Sequence, residues 1–179
     1  AYVWQAWKQN VAPNMFVENS HIMCYAAKWY GKDHIYTQNN FEKKEEEMMR
    51  NLASLLNIAD IVITHNGRAF DIPIIRNRCL YYGLPPFSPI KHVDTLLVAK
   101  RLFRFELNKL EYIAKYLGVT PKGTHSVFPG FTLWKECLNN NPLAWQEMIA
   151  YNKQDVLTLE EVYEKLLPWM EDHQNIMVD

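Results

Sequence analysis

Asp71, Tyr151 and Asp155 are the residues of this chain whose types and spacing could do chemistry. Asp71 closes the stretch DIVITHNGRAFD, residues 60–71. Tyr151 and Asp155 lie four apart in YNKQDV, so on a helix their side chains share one face. Carboxylates converging from separate elements are the oxygen ligands that Mg²⁺ and Mn²⁺ prefer. With His65, the same acids would make the ligand set of a different metal hydrolase. Each motif also has a plain reading. Residues 60–71 can be an αβ connection with a solvated turn and a capping Asp. A Tyr-x-x-x-Asp pair can be a packed tyrosine beside a surface acid.

The elements that must hold these side chains are legible around them. Ile61 to Ile63 is a β-branched run of the length of a buried strand. Thr64-His65-Asn66-Gly67 ends it with turn chemistry, and Gly67 is expected to take backbone angles closed to other residues. A helix follows from Ile72 to Tyr82, closed by Gly83 and Pro85-Pro86. In open α/β sheets, ligands bind at the carboxyl ends of strands. Upstream, Ser20 to Tyr30 and His34 to Thr37 flank the turn Gly31-Lys32-Asp33 and predict a hairpin. Phe41, Met48, Met49, Leu52, Leu55 and Leu56 recur at helical spacing, with the charge run Glu42 to Glu47 expected on a solvated face. Downstream come a short strand, Ile90 to Val93, and a helix from Thr95 to Phe103 with Asp94 as its N-cap rather than a metal ligand. A further helix spans Leu107 to Leu117. Thr120 to Phe131 reads as a loop, with His125 a candidate for phosphate contact. Asn141-Pro142 opens a long helix to about Leu167. Residues 1–17 read as a strand and irregular segment or as an aromatic loop. This order predicts an α/β fold, a mixed sheet covered by helices, with residues 1–179 as a single domain.

Composition narrows the function classes. A net charge of −1 excludes a strong basic field that would draw in nucleic acid from a distance. The three cysteines are far apart and form no CxxC pair, so they are expected as buried thiols in a reducing, cytoplasmic compartment. No apolar run reaches transmembrane length, and neither a signal peptide nor a membrane partner is expected. Six Trp, ten Tyr and eight Phe are enough to place some rings at a groove or partner surface.

HNxxxFD at residues 65–71, followed 84 residues after Asp71 by the Asp of YxxxD, resembles the DEDD family of 3′–5′ exonucleases on the ribonuclease H-like fold. Ala150 occupies the position where the histidine subclass carries His, so the chain resembles the tyrosine (DEDDy) subclass. LNKLEYIAKYLGV, residues 107–119, is similar to the family helix that precedes a variable loop. The likeness runs from about Ser20 to Leu167 and is nearest to the predicted ribonuclease H-like exonuclease domains of bacteria and phages. It implies a mixed β-sheet flanked by helices and a two-metal site for Mg²⁺ or Mn²⁺. Two such cations about 3.5–4 Å apart activate a water and stabilise the leaving oxygen of a phosphodiester. Asp71 and Asp155 would be metal ligands, and Tyr151 would orient the attacking water. His65 and Asn66 would hydrogen-bond the terminal nucleotide, and Phe70 would wedge against a base or join the core. The implied partner is a single-stranded 3′ end of DNA or RNA.

The family's first motif, Asp-x-Glu on the first central strand, has no match here. The first acid is Glu18, and no Asp stands two residues before it. The sheet is therefore expected to lack that strand, with its place filled by residues 1 to 7, a tag or a second chain, or closed at its edges. The chain is read as beginning just after the motif, or as coming from a parent that lost it, and its C-terminus is read as cut as well. Two acids hold two dications poorly, so impaired cleavage is expected. The alternative function is a catalytically silent ribonuclease H-like module that binds nucleic acid or a protein partner.

Overall fold

The computed structural model describes residues 20–119 and 127–170. The readings of residues 1–17 and of His125 fall outside them. The described chain starts with a hairpin, β1 (Cys24–Lys28) and β2 (Ile35–Asn39), paired antiparallel with Cys24 opposite Asn39. Its turn uses Gly31 at φ 69°, a left-handed conformation that glycine adopts without a Cβ clash. Glu160, on the last long helix, accepts from the Gly31 N–H at 2.9 Å and pairs with Lys28, which ties the hairpin to that helix.

Helix α1 (Glu45–Asn57) begins later than the apolar spacing predicts. Asn39 is the reason: its buried Oδ1 accepts from the N–H groups of Phe41 and Glu42 at 3.1 and 3.0 Å, folding those residues into a turn. Phe41 leaves the helix and stacks on Trp145 instead. Next come β3 (Ile61–Thr64), α2 (Asp71–Tyr81), β4 (Lys91–Asp94) and α3 (Thr95–Leu102), each close to its expected place. Pro73 lies in the first turn of α2, where a missing N–H costs no helical bond. Then follow α4 (Leu110–Tyr116), α5 (Phe131–Leu138) and α6 (Pro142–Leu166). Asn141 caps α6 by accepting from the Leu143 N–H at 3.1 Å, with Pro142 opening the helix. Helix α5 was not expected; its Leu133 and Cys137 pack against Ala144, Trp145 and Met148 of α6.

Among the described residues the architecture is α/β, with small sheets flanked by six α-helices. The mixed sheet is present as two ladders, β1–β2 antiparallel and β3–β4 parallel, and no ladder joins them among the described residues. Both contribute to one core: Tyr25 of β1 and Val62 of β3 pack on the cluster of Met48, Met49, Leu52, Ile72 and Cys79 from α1 and α2. Cys24, next to Tyr25, faces the opposite side and meets the α5–α6 cluster. Helices α3, α4 and α6 share a third cluster built on Ala99, Ile113, Ala114, Val162 and Leu166. Cys24, Cys79 and Cys137 are free thiols; burial pushes Cys24 up to about 12 and Cys137 to about 11, so both stay protonated at neutral pH. No helix among the described residues is long and apolar enough to cross a membrane.

One expectation is overturned outright. The charge run Glu42 to Glu47 is not wholly solvated. The Glu45 side chain is only 9% exposed and pairs with Arg78, itself 8% exposed, on α2. Alternating charge along a sequence reports a helix face, but not a partner 33 residues away.

Candidate active site

The site residues sit at the carboxyl ends of β3 and β4 and on the neighbouring faces of α4 and α6. Thr64 and Asp94 are register partners at the ends of the two strands. The chain leaving β3 is held by Asp94, which is 4% exposed. Its Oδ1 accepts from the N–H groups of Asn66 (2.8 Å) and Leu96 (3.0 Å), and its Oδ2 from that of Arg68 (3.0 Å). Asp94 is thus the N-cap the sequence predicts for α3, and it also shapes the loop that leads to Asp71.

Within that loop the unusual backbone belongs to Asn66, at φ 69°, and not to Gly67. Asn tolerates the left-handed region through its short polar side chain. Gly67 is required for a different reason. A Cβ there would fall 2.5–2.7 Å from Thr64 Oγ1, Cβ and Cγ2. Gly67→Ala is expected to cost about 1–3 kcal/mol through overpacking, read as a lower urea midpoint at constant m-value.

His65 turns inward. Its Nδ1 meets Thr95 Oγ1 at 2.9 Å and its Nε2 meets the Asn108 carbonyl at 2.9 Å. A carbonyl only accepts, so the proton is on Nε2. The ring joins β3, α3 and the start of α4 with both nitrogens engaged, and burial lowers its pKa. Asn66 keeps an exposed side chain, and Phe70, 43% exposed, stands outside the core clusters.

Asp71 is the first residue of α2. The residue is exposed, yet protein atoms hem in its carboxyl group. That burial, followed by its own backbone N–H acting in the opposite sense and the Asp94 carboxylate adding to the rise, leaves its pKa raised. On α6 Tyr151 and Asp155 lie four apart, the spacing that puts both side chains on one face, and the phenol lies near enough to act on the carboxylate. Burial pushes Asp155 up to about 6; the Tyr151 hydroxyl works against the rise and the carboxylate of Glu111 adds to it. Glu111, in the first turn of α4, also raises Tyr151. Sequence reasoning passed over Glu111, although it lies in the LNKLEYIAKYLGV segment that carries the family likeness.

The raised Asp155 has a consequence for stability. An aspartate in the unfolded chain titrates near about 4. Between that value and about 6 the folded state binds more protons, so stability falls as pH rises through this window and stays lower above it. Thermal melts from pH 4 to 7 should show this decline as the difference between the unsubstituted chain and Asp155→Asn, which lacks it. The residual slope combines Asp71, which shifts in the same direction, with Glu45, His65 and His92, whose lowered pKa values act in the opposite sense.

The acids therefore form two pairs, Asp71 with Asp94 and Asp155 with Glu111. No group of three or more His, Cys, Asp or Glu able to hold a metal occurs among the described residues. Both oxygens of Asp94 are already occupied by N–H donors. The described residues do not fit a two-cation centre.

Short strands between helices, with Asp94 ending β4 and Asp71 opening the helix after β3, define a ribonuclease H-like α/β domain. Residues 15–167 match a family model of the RNase H superfamily, and the chain belongs to that superfamily. Its members are commonly hydrolytic nucleases and generally use divalent metals. No curated protein matches the chain.

Proposed function

We propose that this chain is a 3′–5′ exonuclease domain of the DEDD tyrosine subclass that acts on single-stranded 3′ ends of DNA or RNA. The observation that carries this reading is the placement of Tyr151 and Asp155 on one face of α6, with Glu111 of α4 close enough to act on both and Tyr151 54% exposed. A phenol beside a carboxylate keeps oxygen lone pairs with which to orient a water. Asn66 and Phe70 flank Asp71 with exposed amide and ring, suited to a terminal base and sugar. His65 has no ring nitrogen left for that purpose and acts by fixing the loop.

Mg²⁺ or Mn²⁺ is the expected cofactor, with Asp71 and Asp155 as its ligands. Because the described acids stay in pairs, this polypeptide is expected to bind the cation weakly and to cleave slowly. The same feature favours a second reading, a silent module that binds nucleic acid or a protein partner without cutting. End-labelled single-stranded DNA and RNA incubated with Mn²⁺ separate the two. Slow laddering abolished by Asp155→Ala supports the exonuclease. Binding without product moves the chain to the second reading. Neither binding nor product overturns the nucleic-acid reading altogether.

A further inference from the structure

We propose that Arg68 and His92 form a phosphate-binding pocket at the outer edge of β4, a subsite for one backbone phosphodiester of the nucleic acid. The source of the phosphate rests on the nucleic-acid reading above; the anion chemistry does not. A cavity of about 280 Å³ opens there, lined among others by Arg68, His92, Asp94, Leu97, Arg101 and Met170. Arg68 comes from the loop before Asp71, so the pocket adjoins the candidate active site.

Arg68 and His92 supply the donors for an anion there. Among the described residues of the lining Asp94 is the single acid, and its two oxygens are taken by three backbone N–H groups. Arg68 is exposed and makes no ion pair among the described residues. A guanidinium presents its donors as a planar fork that matches phosphate oxygens. His92 Nε2 lies 2.8 Å from Thr64 Oγ1, which already accepts from the Gly67 N–H. With Nε2 engaged by Thr64, Nδ1 is the ring nitrogen that can meet an anion, donating when it carries the proton.

His92 also reports the local field. Burial lowers its pKa first; Asp94 raises it, and Arg68 and Arg76 lower it further. An anion seated in the pocket would offset the arginines and raise the histidine. Arg68→Gln preserves the backbone N–H that Asp94 needs, so it removes the guanidinium without releasing the loop.

The test is an NMR titration of the His92 imidazole in the full chain carrying Asp155→Ala, so that binding is read apart from cleavage. The probes are inorganic phosphate, a thymidine pentanucleotide, and sodium chloride at matched ionic strength. The expected result is a rise in the His92 pKa with the oligonucleotide, beyond any chloride effect. Arg68→Gln should weaken that binding about tenfold, the usual scale of one charge-assisted hydrogen bond. Lys32→Gln, on the exposed hairpin turn, should leave it unchanged. A response to inorganic phosphate alone overturns the backbone assignment and makes this a free-phosphate site. No response beyond chloride, or one that Arg68→Gln leaves intact, overturns the pocket itself. If the oligonucleotide binds but His92 is silent, the nucleic-acid reading survives and this subsite falls.

Discussion

Replacing Asp94 by alanine is expected to lower folding stability by about 3 kcal/mol and the melting temperature by roughly 6–12 °C for a domain of this size. Losing a helix cap alone costs about 1 kcal/mol. Here the same carboxylate also satisfies the Asn66 and Arg68 N–H groups, and bonds to a charged acceptor are worth more than neutral ones. The three losses share one residue, so they do not add in full. Asparagine sharpens the test. Its oxygen can replace Oδ1, which serves Asn66 and Leu96. Its NH₂ group would then face the Arg68 N–H, donor against donor, where Oδ2 now accepts. Asp94→Asn should therefore cost less than Asp94→Ala, yet remain clearly destabilised in urea melts. Both variants remove a carboxylate that raises Asp71, so the Asp71 pKa should fall, as followed by carboxyl carbon chemical shifts. If asparagine is as damaging as alanine and Asp71 does not move, the carboxylate does not hold the loop in this way.

Asp94 also marks how far the sequence could be read. An Asp after a short strand and before a helical run is a local signal, and the cap on α3 follows from it. Its bonds to residues 66 and 68 are tertiary, and no local pattern announces them. The same division separates the two halves of the site. Tyr151 and Asp155 share a helix, so their spacing was enough to pair them. Glu111 joins them only through the packing of α4 on α6, which no spacing encodes. Gly67 was legible as a constrained position, but not its cause, because a clash with the Thr64 side chain depends on how the turn folds back. His65 was read as a substrate ligand from its place at a strand end. Its ring is instead drawn inward by Thr95 and the Asn108 carbonyl, which are distant in sequence. Helix α5 was missed because its eight residues, just after Gly130, are too few for a clear apolar period.

The buried pair Arg78–Glu45 should give the other large effect. Arg78 reaches Glu45 through both Nε (2.9 Å) and Nη2 (2.6 Å), and Glu45 also accepts from the Tyr82 hydroxyl (2.7 Å) and the Ile22 N–H (2.6 Å). One carboxylate thus fastens α1, α2 and the segment entering β1. Burial works to raise the Glu45 pKa; Arg78, the Ile22 N–H and Tyr82 outweigh it and leave the pKa lowered. Its stabilisation is present above the unfolded pKa and is lost as pH falls through the folded one. Arg78→Met removes the cation and strands the carboxylate, a change that typically costs about 3–5 kcal/mol. The loss should shrink in acid, where Glu45 can protonate and the burial of an unpaired charge is relieved. A second change, Glu45→Met in the Arg78→Met background, should recover part of the stability, because two apolar side chains replace the pair. Recovery should be incomplete, since the Ile22 N–H and the Tyr82 hydroxyl lose their acceptor. Urea melts of the two single variants and the double variant at pH 7 and pH 4 make the cycle. A double variant less stable than Arg78→Met would show that the Ile22 and Tyr82 bonds outweigh the stranded charge. Because α2 begins at Asp71 and carries Arg78 two turns on, the cycle also measures how firmly the candidate acid is held. A loosened α2 should shift Asp71 in the same spectra that report the Asp94 variants.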